Sequence, residues 1–222
     1  MGIASFSGAS SVIKPGVVTS STRPSSPFVG QLIYETDTAR LAAYNGSAWV
    51  SQNSLQYITG ASFTAASTVS LPTNTFTANY RNYRAIYEVT GSSTTTIITG
   101  RLRASGADLT GASYNYGAHG IKNDATTNLF ADLNATSTKL GFGIANGGVD
   151  HAILMIDFIS PQLSDKTMYA TIAYYQDSTS SPASMNQGGG LYNVATAADS
   201  FTIISSAGTI TGVYRVYGLM ES

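Results

Sequence analysis

The sequence has no cysteine and only two histidines, His119 and His151. The first absence removes disulfides, thiolate nucleophiles and the commonest zinc ligands, and the second excludes a histidine-rich metal site. Charge is also scarce: 11 basic and 12 acidic residues make up 10% of the chain and leave a net charge of -1. No field of one sign remains to gather the protein onto phosphate backbones or anionic membranes, so neither nucleic acid nor a membrane is expected as a partner. Long apolar runs are missing as well. None approaches the ~20 residues that cross a bilayer, and the opening MGIASFSGASSVIKPG lacks the charged-then-apolar order of a signal peptide. A protein made and kept in a cytoplasm is the expectation.

Catalytic patterns are equally thin. There is no G-x-S-x-G elbow, no P-loop, no calcium-loop spacing and no evident acidic pair for glycoside cleavage. The run GFGIANGG at 141–148 has Asn146 where a dinucleotide fingerprint needs its third glycine, and no βαβ pattern surrounds it, so it reads as a turn. Asp150 and His151 are adjacent, which on a strand sends their side chains to opposite faces. Both histidines are read as ordinary surface or loop residues. Asn45-Gly46-Ser47 and Asn134-Ala135-Thr136 match a glycosylation acceptor and are read as turn chemistry. Neither an enzyme nor a cofactor is expected.

What the chain has instead is Ser, Thr, Gly and Ala interleaved with 14 Tyr and 8 Phe, in 222 residues that are 43% hydrophobic. That is enough apolar surface for an ordered β-rich domain with a small appendage. Residues 1–27, ending in TSSTRPSSP, read as an extended N-terminal arm. Residues 28–52 read as a small β-hairpin: Leu32-Ile33-Tyr34 and Leu41-Ala42-Ala43-Tyr44 flank a polar turn, and Asn45-Gly46 turns the chain again to bring Trp49 over Tyr44. Its strands are too short to bury their apolar residues unaided, which makes Phe28, Ile33, Tyr34, Tyr44 and Trp49 candidates for attachment or subunit contact.

Residues 53–222 show runs separated by turn residues, with strands expected at 55–63, 82–90, 95–104, 138–145, 152–159, 167–175, 190–195, 200–205 and 209–218. In TMYATIAYY, Met168, Ala170, Ile172 and Tyr174 alternate with Tyr169, Thr171, Ala173 and Tyr175, the period of a strand. AILMIDFI at 152–159 is nearly continuous apolar, so it is expected to be covered on both faces, with a partner for Asp157. Residues 122–135 are expected to form one short turn of helix or a long loop. The whole reads as all-β, an antiparallel jelly-roll β-sandwich behind an arm and hairpin. Tyr114, Tyr116, Tyr174, Tyr175 and Tyr192, with Asn, Asp and Gln nearby, are candidates for ligand contact of the kind sugars use.

Residues 19–50, TSSTRPSSPFVGQLIYETDTARLAAYNGSAWV, resemble a module of bacteriophage virion structural proteins: R-P-x-x-P-x-x-G-Q-x-I-Y-x-T-D-T followed by Y-N-G-x-x-W. The stretch at 79–117 and the ending GTITGVYRVYGLM at 208–220 are similar to the jelly-roll domains of that group. The resemblance implies a virion component, commonly a homotrimer, and implies no enzymatic activity; the arm and hairpin are then expected to dock on other virion proteins, with the sandwich facing outward toward host-surface glycan. A short tail fibre or appendage is the first expectation. A capsid decoration or cement protein is the alternative, and a glycan depolymerase is a third, less favoured for want of a β-helical body and an acidic pair.

Overall fold

The computed structural model describes residues 15–51, 55–122, 127–141, 151–177 and 181–219, and the chain falls into two compact units that divide between Ser54 and Leu55. Every regular element among the described residues is a β-strand.

The first unit is one four-stranded sheet in the order β1 (Gly16–Val18), β2 (Leu32–Glu35), β3 (Arg40–Tyr44) and β4 (Trp49–Ser51). β2, β3 and β4 form the expected antiparallel meander. The β3–β4 corner is an Asx-turn: Asn45 Oδ1 accepts from the amides of Ser47 and Ala48 at 2.9 and 2.8 Å, and Gly46 takes φ 105°. The segment read as an extended arm is not separate from this sheet. β1 pairs with β2 in parallel, Val17 opposite Tyr34, because a β-branched pair beside an open strand gains a hydrogen-bond ladder by joining it.

The second unit is a sandwich, jelly-roll-like in that the chain crosses repeatedly between its sheets. The larger sheet runs β11 (Thr127–Ala135), β10 (Tyr114–Lys122), β15 (Ser181–Tyr192), β14 (Thr167–Asp177), β13 (Ala152–Ile159), β7 (Asn82–Ser92), β17 (Ile210–Leu219) and β5 (Leu55–Ala66). All of these neighbours are antiparallel. The smaller sheet runs β12 (Thr138–Lys139), β8 (Ile98–Ala104), β16 (Ser200–Ser205) and β6 (Thr68–Ser70), with β9 (Ala107–Asp108) on β8. Inward-facing alternate residues fill the space between: Tyr83, Ala85 and Tyr87 of β7, Leu154, Ile156 and Phe158 of β13, and Leu102, Phe201 and Ile203 of the smaller sheet. At the centre Phe158 meets Phe76 and Phe201 at centroid distances of 5.1 and 4.9 Å.

Three expectations need correction. Residues 127–135 are strand β11, not helix or loop: pairing with β10 supplies the backbone partners that local propensity did not signal. β15 begins at Ser181, earlier than expected, because the glycine triplet 188–190 lies within a strand. β13 is covered on one face only, since its burial alternates and leaves Ile153 and Ile159 exposed. Asp157 does have its partner, accepting from Arg84 Nε and Nη2 at 2.7 Å each. GFGIANGG beyond Gly141, the expected strand end at 142–145, and Asp150 lie outside the described residues.

Candidate functional site

The motif-bearing sheet of the first unit has two unlike faces. On one, Ile33, Glu35 and Ala42 are fully covered. Glu35 is held there by two donors, Arg23 Nε at 2.5 Å to Oε1 and the Thr38 hydroxyl at 2.8 Å to Oε2. Asp37, exposed in the β2–β3 turn, accepts from the Ser20 amide at 2.9 and 3.1 Å and from its hydroxyl at 2.5 Å, tying down the chain that leaves β1. The motif's arginine and aspartate thus staple the connection between β1 and β2.

Burial by itself would raise the Glu35 carboxyl, but the hydrogen bonds from Arg23 and Thr38 and the Arg23 charge outweigh it and hold it below its ordinary value of 4.5. The hydroxyl and amide of Ser20 lower Asp37 likewise. A depressed carboxylate contributes stability above its unfolded value and loses it as pH falls through the folded one. The first unit should therefore loosen progressively below pH 4.5, the ordinary Glu35 value. Trp49, the chain's only tryptophan, lies in β4 with its ring 5.4 Å from that of Tyr44, so its emission should shift to the red over that range. Emission that stays constant down to about pH 2 would contradict this linkage.

The opposite face is open. Val17, Leu32, Tyr34 and Leu41 lie on it in register across β1, β2 and β3, all exposed, and Phe28 and Val29 beside it are 68% and 71% exposed. The five candidate attachment residues are thus divided. Phe28 and Tyr34 are available to a partner. Ile33 is 0% exposed on the covered face and serves as core, and Tyr44 and Trp49 lie half-buried on that same face, packed on one another.

The candidate tyrosines of the sandwich do not converge. Tyr114, Tyr175 and Tyr192 are core residues and offer no face to a ligand. Tyr114 Oη donates to Leu109 O and accepts from Leu102 N, both at 2.9 Å, and burial pushes its hydroxyl well above the ordinary range. Tyr175 Oη accepts from Asn186 Nδ2 at 3.0 Å. Tyr116 is half-buried with its ring 6.0 Å from Phe130, and Tyr174 stands exposed on the outer face of the larger sheet.

What the outer face does build is a trough crossing the strands. Cross-strand register aligns Ala131, Gly117, Gly189 and Ala170, so over four adjacent strands the row carries nothing larger than a methyl group. The next row, Leu129, His119, Gln187 and Ile172, forms a wall. At the β11 end the trough is shallow and open, a space of about 690 Å³ over Gly117, His119, Leu129, Ala131, Gln187 and Gly189 among others. Close approach explains Gly189, where a Cβ would stand 2.7 Å from Tyr169 O, whereas a Cβ on Gly117 would meet only the Ala131 methyl at 3.9 Å. At Gly189 the chain passes too near β14 for a side chain, and bare backbone is left facing outward. His119, Gln187 and the flanking glycines were not among the sequence candidates; the signal available was Gly117 and Gly189 as strand positions rather than turn positions.

Among the described residues no group of three or more His, Asp or Glu side chains could hold a metal ion, and no helix is long and apolar enough to cross a membrane. No family model matches the chain, and no curated protein or solved structure matches it either.

Proposed function

We propose that the protein is a non-enzymatic structural component of a bacteriophage virion: a short trimeric tail fibre or appendage, anchored through its N-terminal unit, whose sandwich binds neutral glycan on the host surface. The observation that carries this reading is the open apolar face of the motif-bearing sheet. Strands of three to five residues that leave Val17, Leu32, Tyr34 and Leu41 uncovered form half of a contact rather than a free-standing domain. The host-facing part rests on the trough. Its wall presents an imidazole and a carboxamide as exchangeable hydrogen-bond partners, its floor is flat backbone, and Leu129 offers an apolar surface to the C–H face of a sugar ring. Many weak sites on one particle gain avidity that a single site lacks.

Glycan-array binding by the full chain tests the reading, with Gln187→Ala and His119→Ala expected to weaken the signal by about tenfold each, the loss of one hydrogen bond to a bound hydroxyl. Absence of glycan binding, together with antibody labelling over the whole head of the particle, would replace adhesion by capsid decoration.

A further inference from the structure

β11 is the last strand of the larger sheet, and its outer side faces no strand among the described residues. Its pairing with β10 keeps one unbroken register from Thr127 to Asp132, so the amides and carbonyls on that free side are set out at regular strand spacing. The opposite edge, β5, is irregular by comparison: its register with β17 shifts twice, and Ala65 takes φ 47°. Leu129 and Leu133 of β11 are 82% and 74% exposed, the two highest values among the exposed large apolar side chains of the described residues. A regular, open edge of this kind is what a further strand adds to.

We propose that β11 pairs antiparallel with β11 of a second copy of the chain, about a two-fold axis at Ala131. The strand selects that occupant in two ways. The first is its sequence. NLFADLN at 128–134 reads nearly the same in both directions from Ala131, with Leu129 and Leu133 two residues away and Asn128 and Asn134 three away. Antiparallel pairing centred on Ala131 therefore sets Leu129 of each copy opposite the partner's Leu133, with Cβ atoms about 5 Å apart on one face, and covers all four leucines at once. The second is charge. Phe130 and Asp132 alternate with these residues onto the other face, and Lys139 Nζ stands 4.7 Å from the centre of the Phe130 ring. The same register puts the partner's Asp132 opposite Phe130 and beside that ammonium group, and by symmetry it does so twice. Moving the axis one residue to Asp132 would set the two carboxylates against each other. The new ladder ends after Leu133, since Asn134 takes φ 59° where the register with β10 shifts.

Edges pair in the plane of the sheet, so the outer face stays open. The row Ala170, Gly189, Gly117 and Ala131 then runs on into the partner's Ala131, and the trough lengthens from four strands to eight. On the glycan reading this favours a linear chain over a terminal sugar; the pairing itself does not depend on that reading. It is a two-fold contact of the sandwich, added to whatever association the N-terminal unit makes.

Disulfide trapping on the full chain tests it, since the sequence has no cysteine to interfere. Ala131→Cys places two thiols opposite one another at the axis, and mild oxidation of the native protein is expected to give a covalent pair of twice 23.1 kDa. Leu129→Cys and Leu133→Cys should each stay unlinked alone, because like thiols would stand about 13 Å apart along the strands. Co-expressed, the two variants should link. Asp132→Lys is expected to halve the mass measured by light scattering, with the β-sheet circular dichroism unchanged, and the cysteine variants decide the matter if it does not fold. Ala131→Cys that keeps the single-chain mass, variants at 129 and 133 that link as well alone as together, or a folded Asp132→Lys that keeps the wild-type mass would each overturn the pairing. Covalent pairing with no glycan-array signal would uphold it while removing the adhesion reading, so the two failures are distinguishable.

Discussion

Arg23→Ala is expected to melt the N-terminal sheet under conditions where the wild type is intact. Glu35 is 1% exposed and, among the described residues, keeps the Thr38 hydroxyl as its side-chain donor once the guanidinium is gone. Removing one partner of a buried ion pair costs about 3–5 kcal/mol; because Arg23 is 38% exposed and solvent screens part of the attraction, about 2–3 kcal/mol is the better expectation here. Sheets of such short strands hold little in reserve. The measurement is the thermal or urea midpoint of Trp49 fluorescence. Adding Glu35→Gln to Arg23→Ala should recover part of the loss by removing the stranded charge, and a Trp49 midpoint that does not move in the single variant would sink the assignment. The same substitution should release the chain between β1 and β2, and on the proposed function incorporation into particles should fall with it.

Phe158→Ala should have the largest effect on the sandwich. The ring is 0% exposed and touches Phe76 and Phe201 at once, so its removal both forfeits transfer energy and leaves a cavity where two sheets meet. About 3–5 kcal/mol is the expected loss. Denaturation followed by far-ultraviolet circular dichroism reads it. A loss below about 1 kcal/mol would mean that Phe76 and Phe201 close over the gap, and that this aromatic cluster does not hold the sheets together.

The architecture was legible wherever burial and periodicity coincide. β13 and β16 lie at the expected 152–159 and 200–205, and the alternation read in TMYATIAYY is that of β14, in which the structure covers Tyr169, Thr171, Ala173 and Tyr175. β11 was not legible, because Leu129, Phe130 and Leu133 have a helix-like spacing while only Phe130 is half-buried and the leucines remain exposed. Its conformation comes from β10, a tertiary cause with no local signature. The trough was hidden for a related reason. Glycine reads as punctuation in a sequence, whereas at Gly189 it marks close passage of neighbouring backbone. The tyrosines misled in the other direction: a ring with a hydroxyl suits a sandwich core that can satisfy it, as at Tyr114, as well as it suits a binding surface.

The parallel pairing of β1 has a mechanical consequence. β2 to β4 alternate in direction, so β1, β2 and β4 all run the same way, and the chain enters the sheet at one end and leaves at the other. Tension between the two ends pulls β1 lengthwise against β2, loading the bonds of the Gly16–Val18 register together instead of unzipping them singly. A hairpin entered and left at the same end would peel open one bond at a time. In the proposed function, with the protein moored by its leading segment and pulled through its trailing one, this is the arrangement in which a very short strand best resists extraction.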